Sequence, residues 1–217
     1  MTRMSAKRKG APTPMALGFR ALRGGAAVVG VAVEDRELRV VLSSFLATAA
    51  AGDRLSFEPY HVAAEMAGGS RGGASAEAAA AVAEGRERQD ALAAKGLDDI
   101  VRNLRNEGYE PIVASLLVNR AGWISDLLAY SLSWPDHLPV AEGLAVRDAL
   151  RFAFDQRRVP VVEVDEKTLP EAASRQFGIA PDDLDLRLKA LGASVGRPWR
   201  KEQKLACLAA WVTVPAP

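Results

Sequence analysis

The sequence predicts an α/β protein: a mixed five-stranded sheet, opened by a three-stranded meander and completed by strands joined through helical crossovers, with helices on both faces. Three observations predict it. Residues 16–48 are dominated by two long, valine-rich apolar runs separated by the charged triplet Glu34-Asp35-Arg36. Residues 112–118 (IVASLLV) and 159–164 (VPVVEV) are almost continuously apolar, as strands are when helices cover both faces of a sheet. Between those two runs lies a helical pattern from Pro139 through VAEGLAVRDALRFAFDQRR. Strand, helix and strand in that order form a parallel crossover unit.

The elements follow in chain order. Residues 1–14 (MTRMSAKRKGAPTP) are basic, small and proline-containing, without hydrophobic periodicity; they read as a disordered basic tail ahead of a single domain over 15–214. Met15 opens the structured pattern and is a candidate start beside Met1 and Met4. Residues 26–33 and 38–46 share a β-branched character that predicts a hairpin around Glu34-Asp35-Arg36. The strand near 26–33 is expected to pair in parallel with 112–118 at the centre of the sheet. A third extended piece is expected at 54–60, where Leu55 and Phe57 alternate with polar neighbours, and Pro59 places it toward an edge.

Residues 67–76 (AGGSRGGASA) read as a flexible connection, because no Gly-Lys-Ser/Thr follows to make a phosphate loop. Residues 76–107 carry Leu97, Ile100, Val101 and Leu104 on one face of an amphipathic helix stopped by Gly108. Gly85 and Gly96 leave two helices or one kinked helix as alternatives. Thr168 with Glu171 three residues later predicts a capping box opening a short helix to Phe177. Further helices are expected at 182–191 and 200–213, the last with Leu205, Leu208, Ala209 and Val212 inward.

Bulk properties exclude several classes. The 217 residues carry 28 Lys and Arg against 27 Asp and Glu, a net charge of +1, so no global field draws the chain to nucleic acid or an anionic membrane. The single cysteine, Cys207, lies in the apolar run LACLAAW and reads as a small buried core residue. No Cys/His cluster has metal-ligand spacing, and neither metal nor cofactor is expected. A basic start followed by GGAAVVGVAV imitates a secretory signal, but Arg20 and Arg23 precede the run and no small-x-small site follows it. With no stretch of ~18–20 apolar residues to span a bilayer, a cytoplasmic protein without membrane association is expected.

This element order resembles the RNase H-like fold, which includes RNase H, Holliday-junction resolvases and actin-like ATPases. The local match is Leu17-Gly18-Phe19-Arg20-Ala21, then Gly24-Gly25 and Ala26-Ala27-Val28-Val29. It looks like the first strand and turn of those families, hydrophobic-Gly-hydrophobic-Asp followed by glycines and apolar residues. In active members that Asp binds a catalytic divalent ion; Arg20 stands at the matching position here. A second acid near the end of the fourth strand corresponds to Asn119. The last helix offers only Glu202, amid Arg200, Lys201 and Lys204. Two-metal chemistry needs converging carboxylates, so the resemblance implies a member lacking the catalytic set.

Exchanging a carboxylate for a guanidinium inverts the preferred ligand. Arg20 with Asn119, Lys201 and Lys204 would favour phosphate or carboxylate; alternatively Arg20 pairs internally with Glu202. His61 and His137 are secondary candidates, with Asp136 and Glu142 close enough in sequence to orient His137. Trp123, Trp134 and Trp199, with Tyr130, suit base stacking or an interface, although sealing the sheet margins is the commoner use of such residues. The leading functional expectation is a catalytically inactive domain that binds nucleic acid or another phosphate-containing ligand. A phosphodiesterase or nucleotide-binding protein with a relocated site is the alternative, and a structural or assembly partner, including a homo-oligomer, is the third.

Overall fold

Strands β1 (Thr13–Leu22), β2 (Gly25–Glu34) and β3 (Glu37–Ala47) form an antiparallel meander, to which β4 (Tyr109–Val118) and β5 (Val161–Asp165) add in parallel, in the order β3-β2-β1-β4-β5. The computed structural model describes residues 11–67, 74–119 and 123–215. Period-two alternation splits β1 between two cores. Met15, Leu17 and Phe19 face α3 (Ala76–Asn106) and α5 (Leu138–Arg157), where the Phe19 ring meets the Phe154 edge at 5.0 Å. Ala16 faces the opposite layer of α6 (Leu169–Phe177), α7 (Pro181–Ala193) and α8 (Lys201–Thr213). Burial on both faces explains the apolar character of residues 15–19 in β1 and 25–32 in β2.

The helix α8 lies unusually close to β1. A Cβ placed on Gly18 would stand 1.9 Å from the Ala206 carbonyl oxygen and 2.9 Å from the Ala210 nitrogen, so only glycine admits the helix backbone there. Cys207 lies buried in the same layer, and burial pushes its thiol up to about 12, as the apolar run around it implies. The β2–β3 hairpin turns on Asp35 and Arg36, both with positive φ (52° and 67°), the conformation a two-residue turn requires.

Several sequence expectations are corrected. The strand over 26–33 is β2, which does not pair with β4; β4 lies in parallel between β1 and β5, with Gly18 of β1 opposite Ser115 and Arg20 opposite Leu117. The polar stretch from Arg20 to Gly25 contains a tight hairpin, with Leu22 paired to Gly25 and Gly24 at φ 75°. β1 begins at Thr13, inside the segment assigned to the tail; residues 1–10 lie outside the described residues, as do 68–73 of the glycine-rich connection.

Residues 54–60 are helical, not extended. They form α1 (Arg54–Phe57) and the start of α2 (Pro59–Met66), because the Asp53 carboxylate accepts from the Leu55 and Ser56 N–H groups and Pro59 occupies a first-turn position. α3 is one continuous helix of 31 residues. Its two glycines are close approaches: a Cβ at Gly85 would lie 2.6 Å from the Leu55 oxygen, and one at Gly96 3.0 Å from the Leu46 side chain. The Thr168 side chain caps nothing. Asp165 instead holds the turn into α6, accepting from the N–H groups of Lys167 (2.8 Å) and Thr168 (3.3 Å).

Candidate functional site

The three parallel strands deliver their C-terminal ends to one edge of the sheet, the side on which open α/β sheets commonly bind ligands. Arg20 lies near the end of β1, Glu166 directly follows β5, and Glu202 sits in the first turn of α8. Arg20 donates Nε to Glu166 Oε2 (3.1 Å) and Nη2 to Glu166 Oε1 (2.9 Å), a two-point fork, and Nη1 reaches Glu202 Oε1 at 3.5 Å. Arg20 thus makes an internal ion pair, with Glu166 as its principal partner and Glu202 second. Carboxylates with parallel lone pairs suit the planar guanidinium in this way.

Asn119 follows β4 and accepts from Arg147 Nη1 of α5. Arg147 has no carboxylate partner among the described residues, and its Nε is buried without a hydrogen-bond partner. Desolvation lowers its pKa; Glu166 opposes the shift, while Arg151 and Arg20 add to it. Arg147, Asn119, Arg86, Arg151, Ser125 and Asp148 line a cavity of about 290 Å³. Asp148 is shared, accepting from Arg86 (2.8 Å) and Arg151 (2.8 Å), and Arg151 also donates to Glu163 (2.6 Å). Three guanidinium groups therefore converge on a space whose lining includes one carboxylate, an arrangement that favours an anion.

The remaining predicted residues go elsewhere. Lys204 donates to Asp185 at 2.9 Å, toward α7, and Lys201 is exposed beside Glu202 with no ion pair among the described residues. Glu142 does not orient His137. Its Oε1 accepts from the backbone N–H groups of Tyr60 (2.9 Å) and His61 (3.1 Å) and lies 3.1 Å from His61 Nδ1, closing the N-terminus of α2. Burial pushes the Glu142 carboxyl up, against the bonds from His61. His137 stacks on Tyr130 at 4.0 Å, with Nδ1 3.0 Å from both the Tyr130 carbonyl and the Ser133 hydroxyl.

Trp123 and Trp134 do not seal the sheet margin; they are 72% and 61% exposed. Trp123 meets the Tyr130 ring edge-on at 5.5 Å, and its neighbours Ile124 and Ser125 line the arginine cavity. Sequence reasoning missed Glu166, Arg86, Arg147 and Arg151. Glu166 had a usable signal, an acid immediately after an apolar strand, although β5 is a largely exposed edge strand and not the doubly covered one its sequence predicts; the three arginines lie on helices whose facing could be known only from the packing of α3 on α5. Among the described residues, no group of three His, Cys, Asp or Glu side chains is arranged to hold a metal ion, and no helix is long and apolar enough to cross a membrane.

No family model matches the chain, and no curated protein matches it. Among solved structures it is similar to Thermus thermophilus RuvC, with a TM-score of 0.48 and 14% identity over 90% of each chain. T. thermophilus RuvC in complex with a Holliday junction substrate gives a TM-score of 0.51 at 11% identity, over 90% of this chain and 89% of that one. The yeast mitochondrial Holliday junction resolvase Ydc2 matches 92% of this chain and 75% of its own, at 10% identity and a TM-score of 0.41. At these identities the likeness is one of fold. The mixed five-stranded sheet with helices on both faces is the RNase H-like fold of the junction-bound neighbour.

Proposed function

We propose that this chain binds nucleic acid at the C-terminal edge of β1 and β4 and does not cleave it by metal-dependent chemistry. The observation that carries the reading is Arg147, a guanidinium without a carboxylate partner among the described residues, opening with Arg86 and Arg151 into a polar cavity at a strand end. Exposed Trp123 beside that cavity offers a stacking surface for an unpaired base. Lys167, the neighbour in sequence of the acid that chiefly holds Arg20, extends the positive rim without an ion pair among the described residues. The fold neighbour that holds a Holliday junction substrate supports a nucleic-acid ligand. Cleavage is disfavoured because Arg20, bridged to Glu166 and Glu202, puts a cation where hard-metal chemistry needs converging carboxylates.

Fluorescence anisotropy with labelled duplex, single-stranded and four-way-junction DNA tests this. Binding should weaken linearly in log salt, and Arg147→Ala should lower the magnitude of that slope by about 1. Trp123→Ala should weaken single-stranded or junction DNA by about 1–3 kcal/mol, with less effect on duplex. The same substrates should stay intact in magnesium or manganese. Absence of binding at low salt, or cleavage that follows the protein through purification, overturns the proposal.

A further inference from the structure

Helices α6, α7 and α8 enclose a second cavity, of about 820 Å³, which the nucleic-acid reading does not use. Its walls are apolar, formed by Leu184, Leu188, Leu205, Leu208 and Trp199. Leu184, Leu188 and Leu208 belong to the buried core. Trp199 is fixed in place: its Nε1 donates to the Leu188 carbonyl at 2.8 Å, and its ring occupies the space that a Cβ on Gly192 would fill, 2.2 Å away. The wall is therefore preformed, and its size falls in the range of small-molecule sites, roughly 300–1,000 Å³.

The rim is cationic. Arg175, Arg200, Lys201 and Lys204 stand against Glu171 and Asp185. Asp185 is shared between Lys204 (2.9 Å) and Lys189 (2.7 Å), and Arg175 reaches Glu171 only at 3.9 Å across an exposed surface. Arg200 and Lys201 are exposed and have no carboxylate partner among the described residues. Ser174 lines the wall, its hydroxyl buried and without a hydrogen-bond partner among the described residues.

We propose that this cavity binds a small amphipathic anion, its apolar body against the leucine and tryptophan wall and its carboxylate or phosphate head at Arg200 and Lys201. A small molecule fits better than a protein partner because the apolar surface ends at the rim. Charged side chains, including Glu171, Arg175, Asp182, Asp183 and Lys189, stand exposed around it on α6 and α7, and Leu186, which does not line the cavity, is the large apolar side chain exposed on those two helices, whereas a protein interface buries an apolar centre on the order of hundreds of Å² on each side.

Isothermal titration of the full chain with dodecanoate, dodecyl phosphate and the neutral n-dodecanol tests the assignment. Dodecanoate or dodecyl phosphate should bind saturably at one site, at least about tenfold more tightly than dodecanol, and whichever binds more tightly identifies the head group. The double variant Arg200→Glu/Lys201→Glu, confined to exposed side chains, should weaken the anions about tenfold or more and leave dodecanol unchanged. Ser174→Leu should weaken all three by filling the wall. No saturable binding, equal affinity for dodecanol, or insensitivity to the charge reversal overturns the proposal, as does tighter binding of an acid-rich peptide ending in phenylalanine.

Discussion

A guanidinium on a strand whose neighbours are aliphatic survives only if its charge is answered, and Arg20 is answered twice. The two answers differ in strength. Glu166 accepts two N–H groups at 2.9 and 3.1 Å, whereas Glu202 accepts one at 3.5 Å and is the more exposed acid. Charge-assisted hydrogen bonds contribute about 1.5–3 kcal/mol each when well formed, while loose pairs near solvent contribute under about 1 kcal/mol. Double-mutant cycles built from Arg20→Ala, Glu166→Ala and Glu202→Ala, measured by urea unfolding, should therefore give a larger coupling for Arg20 with Glu166 than for Arg20 with Glu202. Arg20→Ala alone should be the most damaging of the three, because it leaves two carboxylates facing each other without a cation. A larger coupling to Glu202 would mean that α8, not the end of β5, sets the position of Arg20.

At the scale of elements, the close approach of α8 to β1 through Gly18 ties the last helix to the first strand. Gly18→Ala forces a Cβ into the backbone of Ala206 rather than into a flexible side chain, so the neighbour cannot yield without moving the helix. Overpacking of this kind costs about 1–3 kcal/mol and occasionally more, and chemical denaturation should place this variant at the upper end. A change below about 0.5 kcal/mol would mean that α8 shifts freely on the sheet. This contact also marks what was legible in the sequence. The crossover unit and α3 could be read because apolar period and length survive without tertiary context. Residues 54–60 could not: two alternating apolar residues are too few to distinguish a strand from the capped turns that Asp53 and Pro59 produce. The hairpin at Arg23-Gly24 was hidden because so short a polar stretch between two apolar runs does not by itself distinguish a turn from a break within one strand.

For the whole molecule, fold and site chemistry separate cleanly. The sheet order follows from aliphatic patterning that is indifferent to which charge stands at the end of β1, so the edge can in principle be recharged without refolding the chain. Arg20 and Asn119 were legible as candidate positions because they fall at strand ends, but their partners, Glu166 and Arg147, come from elements brought together only by the fold. Arg20→Asp tests the separation. It would place a third carboxylate beside Glu166 and Glu202, and like charges at that spacing destabilise the variant in the absence of metal. Oxygen ligands gathered in this way suit a hard divalent cation. Manganese should then raise the melting temperature of Arg20→Asp, with stabilisation growing as the logarithm of concentration over dissociation constant, about 2.7 kcal/mol at a hundredfold excess over that constant. The wild type, its carboxylates already engaged by Arg20, should respond little over the same range. An equal response in both proteins would locate the metal elsewhere, and no response in the variant would show that Glu166 and Glu202 do not converge once the guanidinium that draws them together is removed.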